Sequence, residues 1–190
     1  SVDPLRDKEI IDIELQLKDL ETVGKAVDKA KKFIKSGKKE DILTYETLLA
    51  LQKFLEDGRN AREFETNDLT LPIINEVHLL TKKPILYVCN VDEKSIKNGN
   101  EWIPKIEEMA AKEGAEVVVL AAQIEADINE LETYEERQMF LEELGLEEPG
   151  VNRLIRKAYA LLKLQTYFTA GVKEVRAWTI QKGWTAPQAA

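Results

Sequence analysis

The stretch "PILYVCNVDEKS", Pro84 to Ser95, begins as a hydrophobic strand and stops abruptly at a cluster of polar side chains. A strand that only builds a core can end on any turn residue. This one delivers Asn90, Asp92 and Glu93 together to its C-terminal edge, as the rim of a ligand site would require. Further along, a second apolar run, Glu116–Leu120, is followed by "AAQIE", Ala121 to Glu125. A helix is expected between the two strands, at about Glu101–Glu113 with Asn100 as its cap. Strand, helix, strand at this spacing reads as a βαβ unit, and near-continuous apolar strands mark a parallel sheet covered on both faces.

In a doubly wound sheet, ligands bind outside the carboxyl ends of the strands. Here one such end is polar and its neighbour is built from small residues, so a flat ring fits between them. Asn90 offers an amide oxygen and nitrogen to one edge of a base, while Ala121 and Ala122 let backbone N–H groups come close. The competing reading makes "NVDE" a turn cap, since Asn and Asp are common turn residues. Spacing alone leaves both open.

Composition bounds the rest. The chain has 190 residues, of which 44% are hydrophobic and 33% charged, as suits a globular protein with a real core. No apolar run approaches the roughly 20 residues that span a membrane. The opening "SVDPLRDKE" has no apolar signal segment, and the single cysteine, Cys89, has no internal partner, so the expected location is cytoplasmic. A net charge of −8 argues against nucleic-acid binding across the whole surface, but the charge is segregated. Lys29, Lys31, Lys32, Lys35, Lys38 and Lys39 form a run without an acid, whereas Glu116 to Glu148 holds eleven acids and one base, Arg137. Each run reads either as solvated helix surface or, for the lysines, as a basic tip that meets RNA.

The first segment reads as a long helix from about Leu5 to Lys35, with Ser1 or Asp3 as cap and Pro4 in its first turn. Ile13, Leu17, Leu20, Gly24, Val27, Lys31 and Ile34 step by four and three, a heptad-like spacing. After "SGKK" a second helix, Glu40 to Asp57, should pair with the first as an antiparallel hairpin with coiled-coil character. "LPIINEVHLLT" reads as a short helix capped by Asp68 or Asn67. Thr133 with Glu136 forms a capping box for another helix, and Val151–Leu164 forms one more. "TYFTAG" and "VRAWTI" read as strands joined at Gly171, and "KGWTAPQAA" as a loop entering a helix. His78, the lone histidine, reads as a helix-packing residue, Cys89 as a small buried hydrophobe, and at least two of Trp102, Trp178 and Trp184 as packing residues. The acidic run has no metal-ligand spacing.

"NVDE" followed by "AAQIE" resembles the fourth and fifth motifs of translation-factor-type P-loop GTPases, whose usual forms are N-K-x-D and S-A-x. More specifically, "DPLRDKEIIDIELQLKDLETV", "KPILYVCNVDE" and above all "FTAGVKEVRAWTIQKGWTAPQAA" resemble the YchF / Obg-like ATPase family across nearly the whole chain. The resemblance implies an α/β fold: the second half of a P-loop NTPase parallel sheet, an inserted antiparallel helical hairpin and the start of a TGS-type β module. It divides the chain into a hairpin insertion at 1–67, the second half of the nucleotide-binding domain at 68–164 and the beginning of a TGS domain at 165–190. It implies ATP (or GTP) as ligand, magnesium in the full-length parent, ribosome association, and base contacts from Asn90, Val91, Glu93, Ala121 and Ala122.

The departures matter. A phosphate-binding loop needs G-x-x-x-x-G-K-[ST], and no such string is present. "GLEEPGVN", Gly145 to Asn152, spaces two glycines correctly but puts Val151 and Asn152 where lysine and a hydroxyl are required. It is a decoy. In the family, the phosphate loop and the magnesium-binding residues precede the position where this chain begins, so it resembles an internal fragment that carries base recognition and by itself hydrolyses nothing. Glu93 replaces the guanine-reading Asp and Val91 the Lys. Adenine lacks the paired donors that such an Asp accepts, whereas its N6 and N7 suit an Asn amide. Ala121 stands where many members have Ser. The alternative, from a different class, is a non-enzymatic helical module that binds RNA or protein through its basic tip.

Overall fold

The structure, a computed structural model, describes residues 2–189. Ser1, one of the two expected first caps, lies outside the described residues. The chain is mixed α/β with two small sheets and divides into two compact units, 1–83 and 84–190.

The first unit is helical. α1 (Pro4–Phe33) starts where Asp3 accepts the N–H of Arg6 and Pro4 occupies the first turn. A short 3₁₀ turn, Ile34–Ser36, and Gly37 at φ 72° reverse the chain into α2 (Lys39–Glu56). α1 and α2 pack together as a helical hairpin through Val23, Val27 and Ala30 against Leu48, Leu51 and Leu55. α3 (Thr70–Val77) adds Ile74, and Leu79 follows it into the same core. Burying each such aliphatic side chain stabilises the fold by about 1.5–3 kcal/mol. Asn67 accepts the N–H groups of Leu69 and Thr70 ahead of α3, so of the two expected caps it is Asn67 that serves.

Two expectations in this unit need correction. Ile13 and Leu17, placed on the heptad seam, are 55% and 61% exposed. At about 1.5 Å per residue, α2 is some 27 Å long against 45 Å for α1, so the first turns of α1 extend past it. The buried stripe instead runs Val23, Val27, Ala30, with Leu20 beside it. His78 is not packed: it is exposed and ends α3 in the left-handed region, at φ 54°.

A buried polar knot closes the root of the hairpin. Asp19, 2% exposed, accepts from the N–H of Leu80, the N–H of Thr81 and the Thr81 hydroxyl, each at 2.7 Å. Thr81 Oγ1 in turn accepts the N–H of Ala61 at 2.9 Å. A buried carboxylate is tolerable only when its lone pairs are met in this way.

The second unit carries both sheets. β1 (Leu86–Asn90) and β2 (Glu116–Leu120) pair in parallel, in the register Leu86–Glu116 through Asn90–Leu120. Between them come α4 (Glu93–Asn98) and α5 (Trp102–Lys112), the latter capped by Asn100 as expected. After β2 follow α6 (Ala122–Glu130), α7 (Tyr134–Leu144) with the Thr133–Glu136 capping box, and α8 (Gly150–Leu161). Ile124, Ile128, Leu141 and Leu144 form a core between α6 and α7, which Ile96 of α4 joins. α4 and α6 were not expected from the sequence. The two strands differ in cover: Val118 and Leu120 are buried, whereas Val88 is 47% exposed. β3 (Leu164–Ala170) and β4 (Val175–Gln181) form an antiparallel hairpin whose turn is closed by Gly171 N–H to Glu174 O at 2.9 Å. α9 (Ala186–Ala189) ends the described chain.

Among the described residues, no helix is long and apolar enough to cross a membrane. Cys89 is half-buried, and burial, with Glu107 adding to it, pushes its thiol pKa up, away from the thiolate that reacts. Trp178 and Trp184 are 40% and 46% exposed, more open than packing residues would be.

Candidate nucleobase rim

The parallel pairing brings the ends of β1 and β2 side by side, and one side chain ties them together. Asn90 Oδ1 accepts the backbone N–H of Ala122 at 2.9 Å. Because the partner is an N–H donor, the atom facing it must be the amide oxygen, which fixes the orientation of the Asn90 amide. The "NVDE" and "AAQIE" segments are thus one structural feature. Asn90 remains exposed, with its amide N–H₂ and the second lone pair of its oxygen available.

The other expected residues take different parts. The ladder continues one residue beyond β1, where Val91 N–H donates to Leu120 O at 2.9 Å, so that N–H is already engaged within the sheet. The Ala122 N–H is likewise engaged, by Asn90. Ala121 is buried at 2% exposure and caps α6, its carbonyl accepting the N–H of Glu125 at 3.1 Å. Glu93 is exposed as the first residue of α4 and lies 3.8 Å from Lys97.

Asp92 is the N-cap of α4, accepting the N–H of Ser95 at 2.7 Å, and its hydrogen bonding with Ser95 holds its carboxyl below the usual carboxylate range. Within "NVDE", then, Asp92 caps α4 and Asn90 bridges the two strand ends.

Glu125 is the residue that sequence reasoning passed over. Its carboxylate accepts the N–H of Gly150 at 2.7 Å and of Val151 at 3.3 Å, occupying the N-terminus of α8. That disposes of "GLEEPGVN" as a phosphate loop in this fold, since the N–H groups that would bind phosphate already hold a carboxylate. No local pattern announces this pairing, because its members are 25 residues apart. On the outer edge of β2, Arg153 and Lys157 of α8 donate to the carbonyls of Val119 and Val117 at 2.9 and 3.0 Å.

The six lysines of the basic run are all exposed around the hairpin turn, and among the described residues none of their side chains is ion-paired. No group of three His, Cys, Asp or Glu among the described residues is placed to hold a metal ion.

The family YchF-GTPase_C, described as a protein of unknown function (DUF933), matches residues 164–190. The ribosome-binding ATPase YchF of Bacillus subtilis is 48% identical over 191 residues, covering 100% of this chain and 52% of its own length. The protein of that name from Escherichia coli O157:H7 is 48% identical over 192 residues, with the same shares covered. Obg-like ATPase 1 of Rattus norvegicus is 40% identical over 196 residues, covering 100% of this chain and 49% of its own. The solved Schizosaccharomyces pombe YchF GTPase superposes with a TM-score of 0.86 at 30% identity, over 100% of this chain and 52% of that one. The chain spans about half the length of the curated relatives it matches, and over that span it is 40–48% identical to YchF and Obg-like ATPases.

Proposed function

We propose that this chain is the base-recognising part of a nucleotide switch that binds and hydrolyses ATP in preference to GTP and associates with ribosomes in the cytoplasm. The observation that carries the reading is the Asn90–Ala122 hydrogen bond, which presents an oriented, exposed amide at the carboxyl ends of two parallel strands. Adenine pairs with such an amide through N6–H to oxygen and amide N–H to N7. The amide oxygen accepts twice, so the bond to Ala122 is compatible with the contact to N6. Glu93, one methylene longer than the guanine-reading Asp, sits at the head of α4, where its carboxylate lies 3.8 Å from Lys97. The names of the relatives, ribosome-binding ATPase and Obg-like ATPase, support the class of activity.

In this reading residues 1–67 are the hairpin insertion with coiled-coil character, 68–164 complete a P-loop-type sheet, and 165–190 open a TGS module. Nucleotide phosphates and magnesium are held by family residues with no counterpart among the motifs of this chain. The test is calorimetric titration of ATP and GTP into the full-length protein containing this chain. Tighter binding of ATP, abolished by Asn90→Ala, is expected. Equal affinities in the unsubstituted protein overturn the reading.

A second reading rests on the lysine cluster. The exposed, unpaired lysines at the hairpin tip fit RNA phosphates, and on this reading the chain is an interaction module that binds no nucleotide. Retention of ribosome binding by a variant that has lost all nucleotide affinity would favour it.

A further inference from the structure

We propose that Glu125 and Gly150 are positioning residues for the nucleobase rim: together they set the Ala122 amide against which Asn90 is oriented. The inference rests on the base-reading role given to Asn90 above. Because Asn90 Oδ1 accepts from Ala122 N–H, the plane of its amide follows wherever that N–H points. Ala122 is the first residue of α6, and its position is fixed from both sides by the start of α8.

On one side stands Leu120. It pairs with Asn90, accepts the N–H of Val91 and is joined through Ala121 to Ala122. Gly150 is buried against it, and a Cβ at position 150 would fall 2.8 Å from Leu120 Cβ, closer than carbon atoms approach. On the other side stands Glu125, whose two oxygens hold the N–H groups of Gly150 and Val151. The same added Cβ would fall 2.9 Å from Glu125 Oε1. Any side chain at 150 therefore pushes on both flanks of Ala121–Ala122.

α8 cannot easily retreat. Arg153 and Lys157 fasten it to the carbonyls of Val119 and Val117. The rim is what must move. An ordinary helix cap comes from the residue just before the helix, but here Pro149 stands there without a side-chain acceptor. The cap is supplied instead by a carboxylate from the rim-forming helix, favoured by the charge and by the dipole of α8. That arrangement couples the helix to the rim.

The test uses two variants. Glu125→Gln keeps the size but turns one acceptor into a donor, and Gly150→Ala adds the clashing Cβ. In the 190-residue chain, hydrogen exchange at the Ala122 amide should speed up by about fivefold or more, the loss of one hydrogen bond, with a shift of the Asn90 side-chain N–H₂ resonances. Amides of Val23 and Leu51 in the first unit should not change. In the full-length protein, the ATP-to-GTP affinity ratio should fall by a similar factor.

If faster exchange stops at Gly150 and Val151 while Ala122 is unaffected, Glu125 is a helix cap only and the proposal is overturned. It is also overturned if Asn90→Ala alters the nucleotide ratio while neither variant does. If Asn90→Ala leaves the ratio unchanged, the base-reading role of Asn90 fails instead, and the Ala122 amide alone decides whether the coupling exists. Should Gly150→Ala not fold, Glu125→Gln, which adds no atom, carries the test.

Discussion

Asp19, near the middle of α1, holds Thr81 by two hydrogen bonds of 2.7 Å, one from its backbone N–H and one from its hydroxyl, across 62 residues of sequence. A third, from Leu80 N–H, completes the knot. The segment leading out of the helical unit is thus fastened to the long helix by one buried charge. Asp19→Ala leaves one buried and one partly buried backbone N–H and a buried hydroxyl without an acceptor, and should destabilise the chain by about 3 kcal/mol or more. Thr81→Val removes only the hydroxyl contacts and should cost about 1–2 kcal/mol. Urea unfolding followed by circular dichroism measures both, and equal costs would show that the carboxylate is not the centre of the knot.

Two leucines test where the hairpin seam lies. Leu51 is 0% exposed in the core, so Leu51→Ala should lose about 2–5 kcal/mol. Leu17, on the expected heptad but 61% exposed, should tolerate alanine within about 0.5 kcal/mol. A large loss at Leu17 in the same urea assay would return it to the core.

The contrast between those leucines shows what the sequence could convey. Elements with a sustained period and a recognisable cap were legible: α1, α2, α5, α7, β2 and the β3–β4 hairpin fall within a few residues of expectation. Heptad spacing identified the hairpin but not which part of α1 faces a partner, because that depends on the length of α2. α4 and α6 were not legible because each is short and begins directly after a strand end, with no sustained period of its own. At the rim, Asn90 was legible from its place after an apolar run. Its bond to Ala122, the Glu125 cap on α8 and the Asp19 knot were not, since each joins residues with no shared local pattern.

Glu21 offers a pH test on the exposed face of α1. Hydrogen bonds from Lys25 and then Lys18, with their charges, lower its carboxyl from the ordinary 4.5 to about 2. The folded-state pKa is depressed, so its contribution to stability is present above about 4.5 and is lost as pH falls towards 2. Both pairs lie on the exposed surface, so salt should weaken the effect. Carboxyl NMR titration should place the Glu21 midpoint below those of unpaired glutamates and move it upward at high salt. A midpoint insensitive to Lys25→Ala would refute this cause.

The basic tip makes a salt-dependent prediction. In the full-length protein, Lys31→Glu, Lys35→Glu and Lys38→Glu together should weaken ribosome association, most steeply at low salt, because each phosphate contact releases counterions. Co-sedimentation with ribosomes across a salt series reads this directly. An unchanged profile would leave the six lysines as solvated surface.

On the adenine reading proposed above, substitutions in "NVDE" should rewrite the base preference. Asn90 stays as the oriented amide, while Val91→Lys and Glu93→Asp together rebuild the pattern with which N-K-x-D proteins read guanine. The Val91 N–H is already engaged with Leu120 O, so Val91→Lys leaves the ladder intact and changes only the side chain offered to the ligand. The shorter carboxylate of Glu93→Asp removes one methylene at the head of α4 and its loose pairing with Lys97. In the full-length protein the pair of substitutions should narrow or invert the preference for ATP by about 1–3 kcal/mol, the worth of one bidentate base contact. The 190-residue chain alone should release no phosphate from either nucleotide, because it has no loop to cradle the β- and γ-phosphates. Calorimetry with ATP and GTP on the unsubstituted and doubly substituted proteins measures the swing, and a phosphate-release assay checks the isolated chain. An unmoved preference after both substitutions would take base reading away from this rim, and turnover by the purified chain would show that its chemistry lies elsewhere in the fold.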